Sequence, residues 1–375
     1  MQTQTSKRDA NAAGIDTHEQ DGAKRHKPDV HTDLLNSPTT PGITELLNLS
    51  SGEPVTPESA HARFALIAQS LLHEHRIVWC NAAASAREEY EIVELEFYLN
   101  SEEHPDPYTH GSEEQTALGQ WYFHRAPRKT PAPQPTAGSK PAGYRGGTRK
   151  GLDITLGCPL GHTGKKMRGG ILLRTVRRIS DGRIISGPSL LVDELLRVSS
   201  ATSLTTLVDE HWIGNISIDH HSPDAKSWLS LERIDKSGAC GTIYHSPRIG
   251  LDLSHSSVQV NKENPRIRFV CAHYRFFMHP DLLIANGRGQ TFLGVVVCAQ
   301  KWFGYSPDML VLNAPGRVGL QQKTAMKYLE TYRKAREKKN LRDFIGPVGK
   351  AAGSSAVPFL EMAGALRRYL DLEEP

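Results

Sequence analysis

The run Glu91-Ile92-Val93-Glu94-Leu95-Glu96-Phe97-Tyr98-Leu99 constrains this chain more than any other stretch. Its residue types suit an extended strand, in which successive side chains point to opposite faces. Val93, Leu95, Phe97 and Leu99 then share a core face, while Ile92, Glu94, Glu96 and Tyr98 share the other. That second face sets two carboxylates and a phenol two residues apart, and like charges held so close raise the pKa of at least one of them. Two readings fit: the solvated outer face of an antiparallel strand, or a strand that carries a general base.

The flanking segments supply what an active site would need. Apolar residues at helical spacing from Ser59 predict a helix leading into a strand at Arg76 to Cys80. After the opening strand, two prolines and a glycine hold residues 100–111 in a loop that carries His104, Asp106, Tyr108 and His110. A strand is expected at Gln120 to Arg125, then a Pro- and Gly-rich surface insertion at residues 126–143. Tyr144-Arg145-Gly146-Gly147-Thr148-Arg149-Lys150 joins glycines to cations, a composition suited to phosphate. It matches neither a Walker A nor a dinucleotide fingerprint.

Gly169 to Val176 reads as a buried strand interrupted by Arg174, and a buried cation requires an anionic partner, for which Glu94 and Glu96 are at hand. Gly187-Pro188-Ser189 opens a helix toward Val198 whose N-terminus suits an anion. Gly241 to Leu251 and Arg266 to Phe277 read as strands closing the core, and Thr291 to Ala299 as a further hydrophobic strand. A helix at about residues 321–342 carries eight Lys and Arg, either as a solvated face or as a phosphate-contacting arm. Asp219-His220-His221 reads as loop, and no metal or other cofactor is expected.

Residues 1–58 are too polar to offset the entropy of ordering and read as a disordered tail. Within it, Lys7-Arg8 and Lys24-Arg25-His26-Lys27 resemble a bipartite nuclear-import signal. No apolar run approaches membrane-spanning length, so an intracellular, nuclear, monomeric protein is expected. Five scattered cysteines without a C-x-x-C pair argue against disulfides and zinc. A net charge of +4 is compatible with a polyanionic partner. The expected organisation is the tail, a domain at 59–280 and a C-terminal extension at 281–375.

Read together, these blocks resemble the alkyladenine (methylpurine) DNA glycosylase family over roughly residues 60–280. The resemblance runs through Ile92 to Leu99, His110, Gly119 to His124, Gly147 to Thr155, Gly170 to Val176, Gly187-Pro188-Ser189, and Ser246 to Gly250 followed by Arg268-Phe269. It implies an α+β fold, a single domain around a curved, mostly antiparallel β-sheet flanked by helices. It also implies a monofunctional N-glycosylase that releases a modified purine from nucleic acid, most simply DNA. On that resemblance Glu96 activates the water that attacks C1′, and Arg174 lies near that water and the phosphate. Tyr98 stacks on the flipped base, His110 faces it, and His124 replaces a second stacking tyrosine. Asp153 stands where the family has asparagine.

Two departures leave alternatives open. Asp153 adds a charge to the pocket and removes an amide donor. The family's tyrosine wedge aligns near Gly146, so Tyr144, with Arg145, Arg149 and Lys150 beside it, forms the expected nucleic-acid contact. A catalytically silent nucleic-acid reader and a hydrolase of free modified nucleosides are the competing readings.

Overall fold

The computed structural model describes residues 42–50, 53–127, 142–158, 166–234, 241–283, 285–312 and 314–370. The tail up to residue 41, with both basic clusters, and residues 128–141 of the insertion lie outside the described residues. The tail boundary at 58 is corrected: Ile43–Leu47 forms a short helix, α1, and Leu46, Leu47, Leu49 and Val55 are buried. Those four apolar side chains are enough to dock the segment on α2 (Pro57–Glu74), whose Arg63 donates to the Leu46 carbonyl at 3.2 Å.

Helix α2 starts where its cap places it. The Thr56 hydroxyl accepts from the Ser59 N–H at 3.3 Å, the Ser59 hydroxyl accepts from the Thr56 N–H at 3.0 Å, and Pro57 fixes the first turn. Its buried stripe of Ala60, Phe64, Ile67, Ala68, Leu71 and Leu72 lies on the sheet, with the Phe64 ring stacked on Phe97 at 4.4 Å.

The sheet comprises β1 (His75–Asn81), β2 (Ala86–Asn100), β3 (Trp121–Phe123), β4 (Leu152–Thr155), β5 (Arg168–Arg178), β6 (Ile184–Ser186), β7 (Ser227–Arg233), β8 (Tyr244–Ser246) and β9 (Arg275–Phe277). Its main path runs β3-β4-β5-β2-β1-β7, with β6 on β5, β9 on β2 and β8 on β9. The ladders between these strands are antiparallel. The fold is therefore α+β, a curled antiparallel sheet flanked by helices. Strand β2 is its spine: one edge pairs with β5 from Tyr90 to Asn100, while the other pairs first with β1 and then with β9.

The expected alternation along β2 holds only in part. Ile92 pairs with Val176, Glu94 with Thr175 and Leu95 with Leu173, so Val93 is an extra residue on β2 and Arg174 an extra residue on β5. Each bulge advances one strand by a residue and shifts which face its side chains take. Tyr90 and Ile92 consequently join Leu95, Phe97 and Leu99 in the core under α2, whereas Val93 reaches a second core. Ile92 and Val93 thus exchange the faces that simple alternation assigns them. The carbonyl of the bulged Arg174 accepts from the Gly187 N–H at 2.7 Å, at the entrance to α3 (Pro188–Val198).

The second core gathers α4 (Pro265–Val270), α5 (Arg288–Phe303), α6 (Pro307–Leu312), α7 (Ala314–Val318), α8 (Gln322–Lys338) and α9 (Ala356–Leu370) around Val93 and Phe277. The segment after residue 280 shares this core with the sheet and does not form a separate extension. Thr291 to Ala299 is helical and not a strand. A continuous apolar run looks the same in a buried strand and in a helix covered on several sides. Here α5 lies so close to β8 that a Cβ on Gly294 would stand 2.5 Å from the His245 carbonyl oxygen. Of Arg266 to Phe277, the first half is α4 and only Arg275–Phe277 is strand, because Asn264 and Pro265 cap and start a helix. Of Gly241 to Leu251, only Tyr244–Ser246 is strand. The basic helix expected at 321–342 is α8.

Candidate functional site

The sheet register sets the functional side chains in one row. Tyr122 pairs with Asp153, Asp153 with Leu172, Leu172 with Glu96, Glu96 with Arg275 and Arg275 with Ser246, crossing β3, β4, β5, β2, β9 and β8. Directly opposed residues of an antiparallel sheet point to the same face. Tyr122 and Leu172, although buried, belong to neither hydrophobic core. This polar face is the candidate site. Glu96 and Asp153 flank Leu172 on it, two strand spacings or about 10 Å apart.

Glu96 is fully buried. Its Oε1 accepts from the Ile249 N–H at 2.7 Å, and its Oε2 accepts from the Tyr98 hydroxyl at 2.8 Å and from Arg174 Nη1 at 3.3 Å. Three donors leave roughly one of the carboxylate's four acceptor positions open. Burial, then the Glu96 carboxylate, push the Tyr98 phenol well above its ordinary pKa, which keeps it a donor. Burial opposes the Arg174 charge, but Glu96 and Glu94 outweigh it and hold the guanidinium above its usual range.

Glu94 belongs to the supporting frame. Its Oε1 accepts from Arg275 Nε at 2.6 Å and its Oε2 from the Thr175 hydroxyl at 2.5 Å. Arg174 Nε lies 3.3 Å from the same Oε1 without the alignment of a hydrogen bond. Burial would raise the Glu94 carboxyl, yet Arg275 and Arg174 hold it below the usual carboxylate range. Arg275 also donates to Ser246 Oγ and Thr291 Oγ1, each at 3.0 Å, tying the frame to α5.

The loop at residues 100–111 divides by role. His104 Nδ1 meets the Leu99 carbonyl and its Nε2 the Tyr274 hydroxyl, both at 2.9 Å, so that histidine is part of the core. Asp106, fully buried, accepts from Arg248 Nη1 at 2.6 Å. Arg248, also fully buried, donates further to the carbonyls of Phe97 and Phe269, at 3.1 and 3.3 Å, and its guanidinium stands 4.6 Å from the Tyr98 ring centre. The Tyr108 hydroxyl donates to the Asp252 carbonyl at 3.0 Å.

His110 meets His124 with ring centres 4.7 Å apart. Burial and the neighbouring His124 push His110 down to about 4, so it is neutral at neutral pH. His124 Nε2 sits 2.9 Å from Asp153 Oδ1, and Gln115 Nε2 donates to Asp153 Oδ2 at 3.3 Å. The Asp153 carboxylate occupies space that only a glycine on β5 leaves: a Cβ on Gly170 would lie 2.7 Å from Oδ2. Gln115 is fully buried with its Oε1 unpartnered beside this group.

Glu96, Tyr98 and Arg174 thus form one hydrogen-bonded group, and the His124–Asp153 pair with the His110 ring packed edge-on against it a second, on one sheet face. The cationic segment is arranged differently from a wedge. The Tyr144 ring is half-buried, with the Arg125 guanidinium 3.8 Å from its centre and Phe123 at 6.0 Å. Arg145 Nε donates to the Arg125 carbonyl at 2.8 Å, Lys150 is paired with Asp193 of α3, and Arg149 is exposed. His220 pairs with Asp219, and His221 stacks on Trp228 at 4.0 Å. Among the described residues, no group of three or more His, Cys, Asp or Glu is placed to hold a metal ion, and no helix is long and apolar enough to cross a membrane.

Sequence reasoning singled out Asp106 with its loop but missed Arg248, Arg275 and Gln115. For Arg275 the signal was present: it is a cation inside the apolar and aromatic stretch from Ala272 to Met278, the same argument that picks out Arg174. Arg248, between Ser246-Pro247 and Ile249-Gly250, lacked it. Gln115 carried none.

No family model matches the chain. An uncharacterized protein of Acanthamoeba polyphaga mimivirus is 37% identical to it over 169 residues, which cover 43% of this chain and 68% of the viral protein. At that identity and coverage, the chain belongs to the same family as this mimivirus protein.

Proposed function

We propose that the protein is a monofunctional N-glycosylase that releases a modified purine base from nucleic acid. The observation that carries this reading is Glu96: a buried carboxylate framed by the Ile249 N–H, Tyr98 and Arg174, with one acceptor position left, on the same face as the Asp153–His124–His110 group. In such a reaction the carboxylate stabilises positive charge developing at C1′ and takes the proton of the attacking water. Arg174 and the protonated phenol of Tyr98 both donate to the carboxylate and orient it. The neutral His110 ring packs against an electron-poor base without charge repulsion. The resemblance to alkyladenine DNA glycosylases supports the same assignment.

The test is base release from oligonucleotides bearing hypoxanthine, ethenoadenine or 3-methyladenine. Release by the wild type and a loss of at least about 100-fold in Glu96→Gln are expected, the range of a lost general base. Full release by Glu96→Gln overturns the mechanism.

A second reading, nucleic-acid binding without catalysis, is favoured by Tyr144, which is held beneath Arg125 in place of a free wedge. It requires that no substrate yields an abasic product. Nuclear residence, proposed from the basic clusters at Lys7-Arg8 and Lys24 to Lys27, is tested by fusing residues 1–58 to a fluorescent reporter.

A further inference from the structure

The charge of this chain is distributed unevenly. Residues 288–370 carry fourteen Lys and Arg against five Asp and Glu, a net +9, while the whole chain carries +4. Residues 42–287 carry twenty-six Lys and Arg against twenty-seven Asp and Glu, a net −1, so the helices α5–α9 form a cationic body joined to a nearly neutral one. Long-range attraction of a polyanion acts on such a body as a whole.

Within it, α8 presents Lys323, Lys327, Lys334 and Lys338 at spacings of four, seven and four residues, which is one helical stripe, and all four are exposed. The stripe extends about 22 Å at 1.5 Å per residue. Lys334 pairs with Glu330 at 2.6 Å, while Lys323, Lys327 and Lys338 take part in no ion pair among the described residues.

Two large aromatic side chains are exposed on the same body. Trp302, at the end of α5, is 41% exposed, and Tyr305, just after it, is 39% exposed. Trp302 lies against Tyr244 at 6.0 Å, and the Arg317 guanidinium stands 5.0 Å from the centre of the Tyr305 ring. Arg317 precedes the start of α8, and α7, α6 and α5 all pack on that helix, so the aromatics and the lysine stripe belong to one packed unit.

We infer that this C-terminal body is a second nucleic-acid surface, which holds a single strand with bases on Trp302 and Tyr305 and phosphates on the α8 lysines. Cations alone would suit any polyanion. Exposed aromatic side chains on a cationic body specify unpaired bases, because a duplex buries the π-faces on which they stack. The inference shares its ligand class with the glycosylase reading and places that ligand away from Glu96.

The test is fluorescence anisotropy of the full chain with fluorescein-labelled oligothymidylate, the same strand in a duplex, and labelled polyglutamate. Tighter binding of the single strand than of the duplex or polyglutamate is expected. Trp302→Ala weakens single-strand binding about tenfold, and Lys323→Glu with Lys327→Glu lowers the salt dependence by about two counterions. These residues are exposed, and unchanged melting curves verify the variants. Oligothymidylate carries no purine base, which separates binding at this surface from the base-release reaction. Equal affinity for strand and polyglutamate, or an unchanged affinity in Trp302→Ala, overturns the inference whatever the base-release assay shows.

Discussion

The pair Arg248–Asp106 offers the sharpest test of how the site is held. Both side chains are fully buried, their charged atoms are 2.6 Å apart, and Arg248 also satisfies the carbonyls of Phe97 and Phe269. Arg248→Met leaves a buried carboxylate without its cation, and removing one member of such a pair costs about 3–5 kcal/mol. Asp106→Leu strands the guanidinium and also removes an acceptor for the Tyr108 N–H at 3.1 Å, worth about 1 kcal/mol. The double variant carries no buried charge at this position and is expected to lose less than the two singles combined, with a coupling of at least about 2 kcal/mol. Urea unfolding of the four proteins gives the cycle. Losses that add to within about 0.5 kcal/mol would show that the two groups act independently and that the geometry is misread. Arg248 also supports the Tyr98 ring, so base release should fall in Arg248→Met under conditions where the variant remains folded.

Two further outcomes follow from the site. Gly170→Ala forces its Cβ against Asp153 Oδ2 and should cost about 1–3 kcal/mol; an unchanged urea midpoint together with unchanged base preference would mean that Asp153 is not held there. The pH dependence follows from buried histidines: His61, His75 and His104 are lowered chiefly by burial, His110 and His273 are pushed down to about 4, each chiefly by burial, and His245 to about 3, by burial and then His273 and His61. Their folded values lie below the ordinary 6.5, so the unfolded chain takes up protons first as the pH falls. Their contribution is complete above about pH 6.5 and is lost on descent toward pH 4, with about 2 kcal/mol at stake from His110 alone between pH 7 and pH 5. A urea midpoint equal at pH 7 and pH 5 would contradict this.

Much of the frame was legible because it depends on pattern alone. The two-faced run from Ile92 to Leu99, the helix from Ser59, the Pro188 helix and the lysine-rich α8 each declare themselves through periodicity or a proline at the first turn. Arg174 and Glu94 could be paired in advance because a buried charge demands a counter-charge. The bulges at Val93 and Arg174 could not, since an inserted residue leaves no compositional trace and is defined by the partner strand. The helical state of Thr291 to Ala299 depends on what surrounds it, and its β-branched valines argue locally for the opposite. The position of Tyr144 depends on Arg125, nineteen residues earlier, whose side chain has equally good uses in solvent.

The displaced register of β2 has a consequence for how the molecule comes apart. This strand sends Phe97 into one apolar interior and Val93 into the other, while Glu94 and Glu96 between them hold Arg275, Arg174 and the Ile249 backbone. Neither half can loosen without pulling on the strand it shares with its neighbour. The carboxylate row therefore serves as a mechanical clasp, and melting of the sheet and of the basic helices should occur as a single transition that coincides with the disappearance of the site.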